Sequence, residues 1–194
     1  MLKTIGLRLR KVDILYFIIG IILPIILLFI VYLIVKSNSN FQDNNFLSLL
    51  ISGKGKFIYY FVVAFLEEII FRGVIFGILS KKIKNIYLSC LISAIIFTLP
   101  HIFNTDNISI IVMFVFPLLY GIMANEMFYF TKSIWMSTGF HWLWNFIITS
   151  LFLTTGTQSL VYGWIILEII ILIPIIYFVF NKLKYKNNDC SKEV

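Results

Sequence analysis

Charged residues are scarce in this sequence, and histidine and cysteine are scarcer still. Aspartate, glutamate, lysine and arginine make up 13% of the 194 residues, whereas 60% are hydrophobic and the mean hydropathy is +0.97. A soluble domain needs far more polar surface, so this composition excludes an ordinary soluble globular protein. We expect a single membrane domain, residues 1–194, whose solvent is the lipid bilayer.

Only two cysteines are present, and their positions predict neither a disulfide nor a thiolate metal site. Cys90 lies inside an apolar run and Cys190 lies in the polar C-terminal stretch. A cleavable signal peptide is not expected either, because the first apolar run, residues 14–35, is 22 residues long and lacks a small-residue cleavage site. This run predicts a membrane-spanning helix.

Apolar runs of about 20 residues, the length of one transmembrane helix, follow one another along most of the chain. They predict an all-α, polytopic transmembrane bundle of about six spans. The predicted spans are residues 14–35, 57–79, 86–103, 108–130, 133–153 and 160–181. Between the first two spans, residues 46–51 predict a short helix lying flat on the membrane.

Lysine and arginine indicate the orientation, because cytoplasmic loops carry an excess of them. With six spans, twelve basic residues lie on the side of both termini and three lie on the other side. This pattern predicts an N-in, C-in topology in a cell membrane and accounts for the net charge of +7. The basic balance thus indicates topology and attraction to anionic lipid, and we expect no nucleic-acid partner.

The second span contains three ionisable residues, which are costly inside a bilayer and therefore need partners or a function. Glu68 and Arg72 are four residues apart, so they share a helix face and are expected to form an ion pair. Glu67 is rotated about 100° away and has no partner in its own helix. It is a candidate general base, although all three residues could instead form one structural charge cluster.

Two histidines, His101 and His141, are the only ones in the chain, and both lie in or beside apolar spans. His101 shares a helix face with Phe97, and His141 shares one with Asn145, because each pair is four residues apart. A glutamate and a histidine could hold and deprotonate a water, while an imidazole and a carboxamide could stabilise an oxyanion. Each histidine could also be an ordinary structural hydrogen-bond donor. Two of them on different predicted helices, in a chain that also has the unpaired Glu67, favour a functional site.

These three clusters together resemble the motifs of a known family. Glu67-Glu68-x-x-x-Arg72, Phe97-x-x-x-His101 and His141-x-x-x-Asn145 occur in that order on three predicted helices. The sequence resembles the CAAX prenyl protease and bacteriocin-processing family, also called CPBP or Abi proteins, with a family-like core at residues 57–153. The resemblance implies a glutamic intramembrane endopeptidase in which Glu67, helped by His101, activates water. His141 and Asn145 would form the oxyanion site, and Glu68, Arg72 and Phe97 would support it.

Metal dependence stays open, because family members are often called metalloproteases. A zinc ion held by Glu67, His101 and His141 would satisfy the three-ligand count of a catalytic site, but another base would then be needed. We therefore favour a mechanism without a cofactor and keep zinc as the alternative.

The resemblance also bears on the biological role. It implies a peptide or membrane-protein substrate, with a role in bacteriocin maturation or self-immunity, and the richness in Ile, Asn and Lys favours a bacterial source. A non-catalytic immunity or scaffold protein is the first competitor, and a small proton-coupled transporter is the second. The oligomeric state is not indicated.

Overall fold

The computed structural model describes residues 5–38, 54–103, 110–151, 166 and 169–178, and its elements are all helical. The all-α prediction is therefore confirmed for this part of the chain. The elements are α1 (Lys11–Asn38), α2 (Phe57–Glu68, Ile69–Phe76 and Gly77–Lys82 in succession), α3 (Ile86–Ile102), α4 (Ile110–Thr131), α5 (Trp135–Leu151) and α6 (Ile169–Phe178). The 3-10 turn Lys54–Lys56 leads into α2.

Five of the six predicted spans coincide with helices to within a few residues, because each apolar run forms one helix. Lys11–Ile34 and Met113–Thr131 are long and apolar enough to cross a membrane, while Ile86–Ile102 and Ile169–Phe178 are shorter apolar helices. The sixth predicted span is described only in part. The interfacial helix predicted at residues 46–51 lies outside the described residues.

Polar and apolar side chains are distributed as expected for a protein dissolved in lipid. α1 exposes a row of large apolar side chains, including Ile18, Ile22 and Ile26. In contrast, Glu68 and Arg72 are fully buried inside the bundle. Lipid tails can cover an apolar exterior but offer ionised groups no hydrogen bonds, so charged groups turn inward.

Helix α2 changes its hydrogen-bonding pattern in the middle of the bundle. It is α-helical to Glu68 and then forms a π-helix over Ile69–Phe76. The Gly77 N–H closes this segment by bonding to the carbonyl of Arg72, five residues earlier. Such π-helical turns are rare and often lie at functional sites, and this one begins at the residue after the two glutamates.

Helix α1 packs closely against α5 through glycines on both sides of the seam. A Cβ atom added at Gly139 would lie 2.6 Å from the Phe17 carbonyl oxygen, and one added at Gly20 would overlap the Met136 carbonyl. The first turn of α5 is also held by the N-terminal segment, since the Trp135 indole N–H donates to the Arg8 carbonyl at 2.6 Å. These contacts fix the helix that carries His141.

We expect Gly139→Ala to destabilise the protein by about 1–3 kcal/mol, because the added methyl group forces α1 away from α5. Thermal unfolding of purified protein in detergent measures the effect. Gly55→Ala is the matched control, since a Cβ atom there has no neighbour within 4 Å and should change stability by no more than about 0.5 kcal/mol. Equal unfolding temperatures for the two variants would contradict the close α1 and α5 packing.

Candidate active site

Glu68 is the centre of a polar cluster that joins three helices. Its side chain is fully buried, and its Oε1 atom lies 3.1 Å from Nη1 of Arg72 and 3.0 Å from Nδ1 of His141. The same oxygen accepts a hydrogen bond from the Tyr120 hydroxyl at 3.0 Å. The ion pair expected from the spacing of Glu68 and Arg72 is thus present, but the carboxylate has two further partners on α4 and α5.

The Arg72 guanidinium is stabilised by a nearby carboxylate and by two aromatic rings more than by hydrogen bonds of good geometry. Its guanidinium is fully buried, and its three nitrogens have no hydrogen bond of good geometry within the described residues. The guanidinium carbon lies 4.3 Å from the centre of the Phe97 ring and 5.0 Å from that of Tyr120. Cation–π attraction therefore supplements the ion pair of this buried guanidinium with Glu68.

His141 lies between the two glutamates. Its Nδ1 atom bonds to Glu68, and its Nε2 atom lies 3.6 Å from Oε2 of Glu67. An ionised carboxylate only accepts hydrogen bonds, so Nδ1 carries a proton when Glu68 is charged. The bond to Glu68 thereby fixes the orientation of the imidazole and presents Nε2 toward Glu67.

The two glutamates differ sharply in exposure. The side chain of Glu67 is 29% exposed, whereas that of Glu68 is 0% exposed. Glu67 can therefore meet a water molecule and a substrate, while Glu68 is enclosed by its partners. This division agrees with the helix-face argument that separates Glu67 from the pair formed by Glu68 and Arg72.

His101 lies on α3, half-buried beside the same cluster. Its Nδ1 atom is 2.9 Å from the Phe97 carbonyl oxygen, and its ring centre is 4.7 Å from that of Phe97. The Phe97 ring centre is also 6.0 Å from that of His141, so this phenylalanine contacts both imidazoles.

Asn145 lies one helical turn after His141 on α5 and is half-buried. In the described part of the chain, no hydrogen bond involves its carboxamide. The structure therefore brings Glu67, Glu68, Arg72, Phe97 and His141 into contact, with His101 beside Phe97 and Asn145 on the same helix as His141.

Tyr120 is the member of the site that the sequence prediction omitted. It is fully buried on α4, its ring lies 4.8 Å from that of His141, and its hydroxyl bonds to Glu68. The available signal was weak: a tyrosine in the middle of an apolar span needs a partner for its hydroxyl group. Nothing in the sequence indicates which helix supplies that partner.

The residues present do not gather into a metal centre. Within the described ranges, no three or more His, Cys, Asp or Glu side chains are close enough together to hold a metal ion. Glu67 and His141 are close, with Oε2 of Glu67 3.6 Å from Nε2 of His141, but among the described residues they do not form a three-member ligand set with His101. A carboxylate next to an imidazole suits proton transfer.

Comparison with known proteins gives one match. Residues 55–147 match the family model described as Rce1-like: type II CAAX prenyl endopeptidase Rce1-like. This match extends from α2 to the fourth turn of α5 and includes all seven residues of the three motifs. It confirms the resemblance that the motifs carry. No curated protein and no solved structure matches the chain.

We expect Arg72→Met to lower the free energy of unfolding by about 3–5 kcal/mol, because it leaves the Glu68 carboxylate buried without its cation. Folded yield and thermal unfolding in detergent measure the loss. Lys82→Met is the matched control, since Lys82 is exposed at the end of α2 and should change stability by no more than about 0.5 kcal/mol. A normal folded yield of Arg72→Met would contradict the central role of this ion pair.

Proposed function

We propose that this chain is an intramembrane glutamic endopeptidase, because residues 55–147 match the model of the Rce1-like family of type II CAAX prenyl endopeptidases. Its substrate is a peptide or a membrane protein, and Glu67 is the general base that activates the attacking water. The observation that carries this proposal is the contrast between the partly exposed Glu67 and the enclosed Glu68. Only one of the two adjacent carboxylates can reach a substrate.

In the proposed reaction, Glu67 takes a proton from a water molecule while the water oxygen attacks the carbonyl carbon of the scissile bond. His101 is assigned the supporting role in this step, because it lies against Phe97 beside the same cluster. The resulting tetrahedral intermediate collapses with cleavage of the C–N bond. Glu67 then returns the proton to the leaving nitrogen, and the products are a carboxylic acid and an amine.

His141 and Asn145 are proposed to stabilise the negative charge on the carbonyl oxygen. A protonated His141 can donate from Nδ1 to Glu68 and from Nε2 toward the reacting group. Asn145 adds a carboxamide donor one turn away on the same helix. Preorganised donors in a site that excludes water contribute strongly to such catalysis.

Several finer features belong to the same proposal. We place the protein in a bacterial cell membrane with six spans and both termini in the cytoplasm, supported by the distribution of lysine and arginine along the sequence. A role in bacteriocin maturation or self-immunity rests on the resemblance alone. The scaffold alternative has its own support, since the cluster around Glu68 would tie α2, α4 and α5 together without any chemistry.

We expect Glu67→Gln to lower peptide cleavage by at least about 100-fold, because the amide cannot accept the proton of water. Its folding should be unaffected, since Glu67 is partly exposed and the replacement has the same shape. Purified variants digesting a panel of candidate peptides in detergent give the rates, and thermal unfolding checks the fold.

Two variants control this experiment. Glu193→Gln removes the same charge from the C-terminal stretch and should keep full activity. Glu68→Gln should lose folded yield, because Arg72 is then buried without its anion. If Glu67→Gln still cleaves normally, or still protects cells in a bacteriocin assay at a normal protein level, then the residue is not the base and the scaffold function is favoured.

We expect wild-type activity to survive prolonged treatment with EDTA or 1,10-phenanthroline, because the proposed mechanism uses a carboxylate and no metal. The cleavage rate before and after treatment, with zinc then added back, is the measurement. Loss of activity that zinc restores would replace this mechanism with the zinc alternative. A soluble zinc peptidase treated in parallel confirms that the chelator removes metal.

A further inference from the structure

A cavity of about 130 Å³ lies away from the cluster around Glu68. It is formed where α3 begins and where α4 and α6 end. Most of its wall is aromatic, and one carboxylate lines it. The residues that matter here are Phe76, Tyr87, Glu126, Tyr129, Phe130 and Tyr177. Neither the family motifs nor the proposed peptide cleavage uses any of them.

The Glu126 carboxylate is the group in this cavity that calls for a partner. Its Oε2 atom is buried and has no hydrogen bond within the described residues. The neighbouring amide of Asn125 is already used, since it donates to the Cys90 carbonyl at 3.0 Å and accepts from Ser93 at 3.4 Å. A buried carboxylate oxygen without a donor is unfavourable, so a ligand that brings positive charge would be stabilising.

The chemistry of the wall fits an organic ammonium group. Aromatic rings attract ammonium cations through their faces, and a carboxylate supplies the opposite charge. The chain itself already places an ammonium in this region, since Nζ of Lys132 lies 4.1 Å from the centre of the Tyr129 ring. A cavity of about 150 Å³ in another protein holds benzene, so this one has room for a small amine head group.

We propose that this cavity binds the ammonium group of a membrane lipid head group or of a free small amine, with Glu126 as its counter-ion. The cavity is accessible, because its wall residue Tyr87 is 66% exposed. The exposed Lys84 precedes α3 by two residues and carries the charge that a lipid phosphate would need. A zwitterionic phospholipid therefore suits this end of the bundle better than an anionic lipid without an amine.

Native mass spectrometry of the detergent-solubilised protein tests this proposal. Phosphatidylethanolamine and phosphatidylglycerol with identical acyl chains are titrated separately, and the fraction of protein with one lipid bound is measured. Wild type should retain phosphatidylethanolamine at least about fivefold better than phosphatidylglycerol. Glu126→Gln should remove this preference, while Glu193→Gln, which loses the same charge elsewhere, should keep it.

A second arm identifies the source of the ammonium. If free ethanolamine raises the unfolding temperature of wild type but not of Glu126→Gln, and phosphatidylethanolamine is not preferred, the ligand is a soluble amine. If phosphatidylethanolamine is preferred and ethanolamine has no effect, the ligand is a lipid. Should Glu126→Gln fail to fold, Tyr129→Leu keeps the carboxylate and should weaken amine binding at least twofold.

Equal retention of the two lipids by wild type, together with no response to ethanolamine, would overturn the proposal. So would an unchanged preference in Glu126→Gln, because glutamine has the shape of a protonated glutamate and would show that no charge is needed. These outcomes are independent of peptide cleavage, since no residue of this cavity belongs to the cluster around Glu68.

Discussion

One carboxylate oxygen, Oε1 of Glu68, organises the centre of this protein. It meets a guanidinium from its own helix, an imidazole from α5 and a phenol from α4. A carboxylate with 0% exposure is destabilising unless cations or hydrogen-bond donors compensate it. Because those partners come from three helices, the requirement for neutrality also fixes how the helices are rotated relative to one another. The position of the His141 ring follows from this requirement.

Glu67, the residue before Glu68, has a different environment, because its side chain is partly exposed. The Glu67 side chain is 29% exposed, and its Oε2 atom lies 3.6 Å from Nε2 of His141. Two neighbouring identical residues thus acquire different environments through a rotation of about 100° between successive helical positions. Enclosing one acid while leaving the other accessible is a recurring way of assigning different roles to paired carboxylates.

The sequence predicted the helices and most of the residues that gather around Glu68, but not the hydrogen bonds that join them across helices. Apolar runs gave five helices to within a few residues, and the spacing of Glu68 and Arg72 gave their ion pair. The bond between His141 and Glu68, and the presence of Tyr120, could not be predicted, because contacts between helices depend on how closely and at what rotation they pack. Periodicity describes one helix at a time, and it also gave no sign of the π-helix at Ile69–Phe76.

The seam between α1 and α5 has a consequence for how such proteins are compared. The matched family segment begins at residue 55, so α1 lies wholly outside it, yet Gly20 and Gly139 press α1 onto the helix that carries His141. The outward face of α1 exposes large apolar side chains such as Ile22 and Ile26, whereas its face toward α5 has no room for a Cβ atom at Gly20. The packing surface of α1 against the helix that carries His141 thus depends on two glycines, one on each helix.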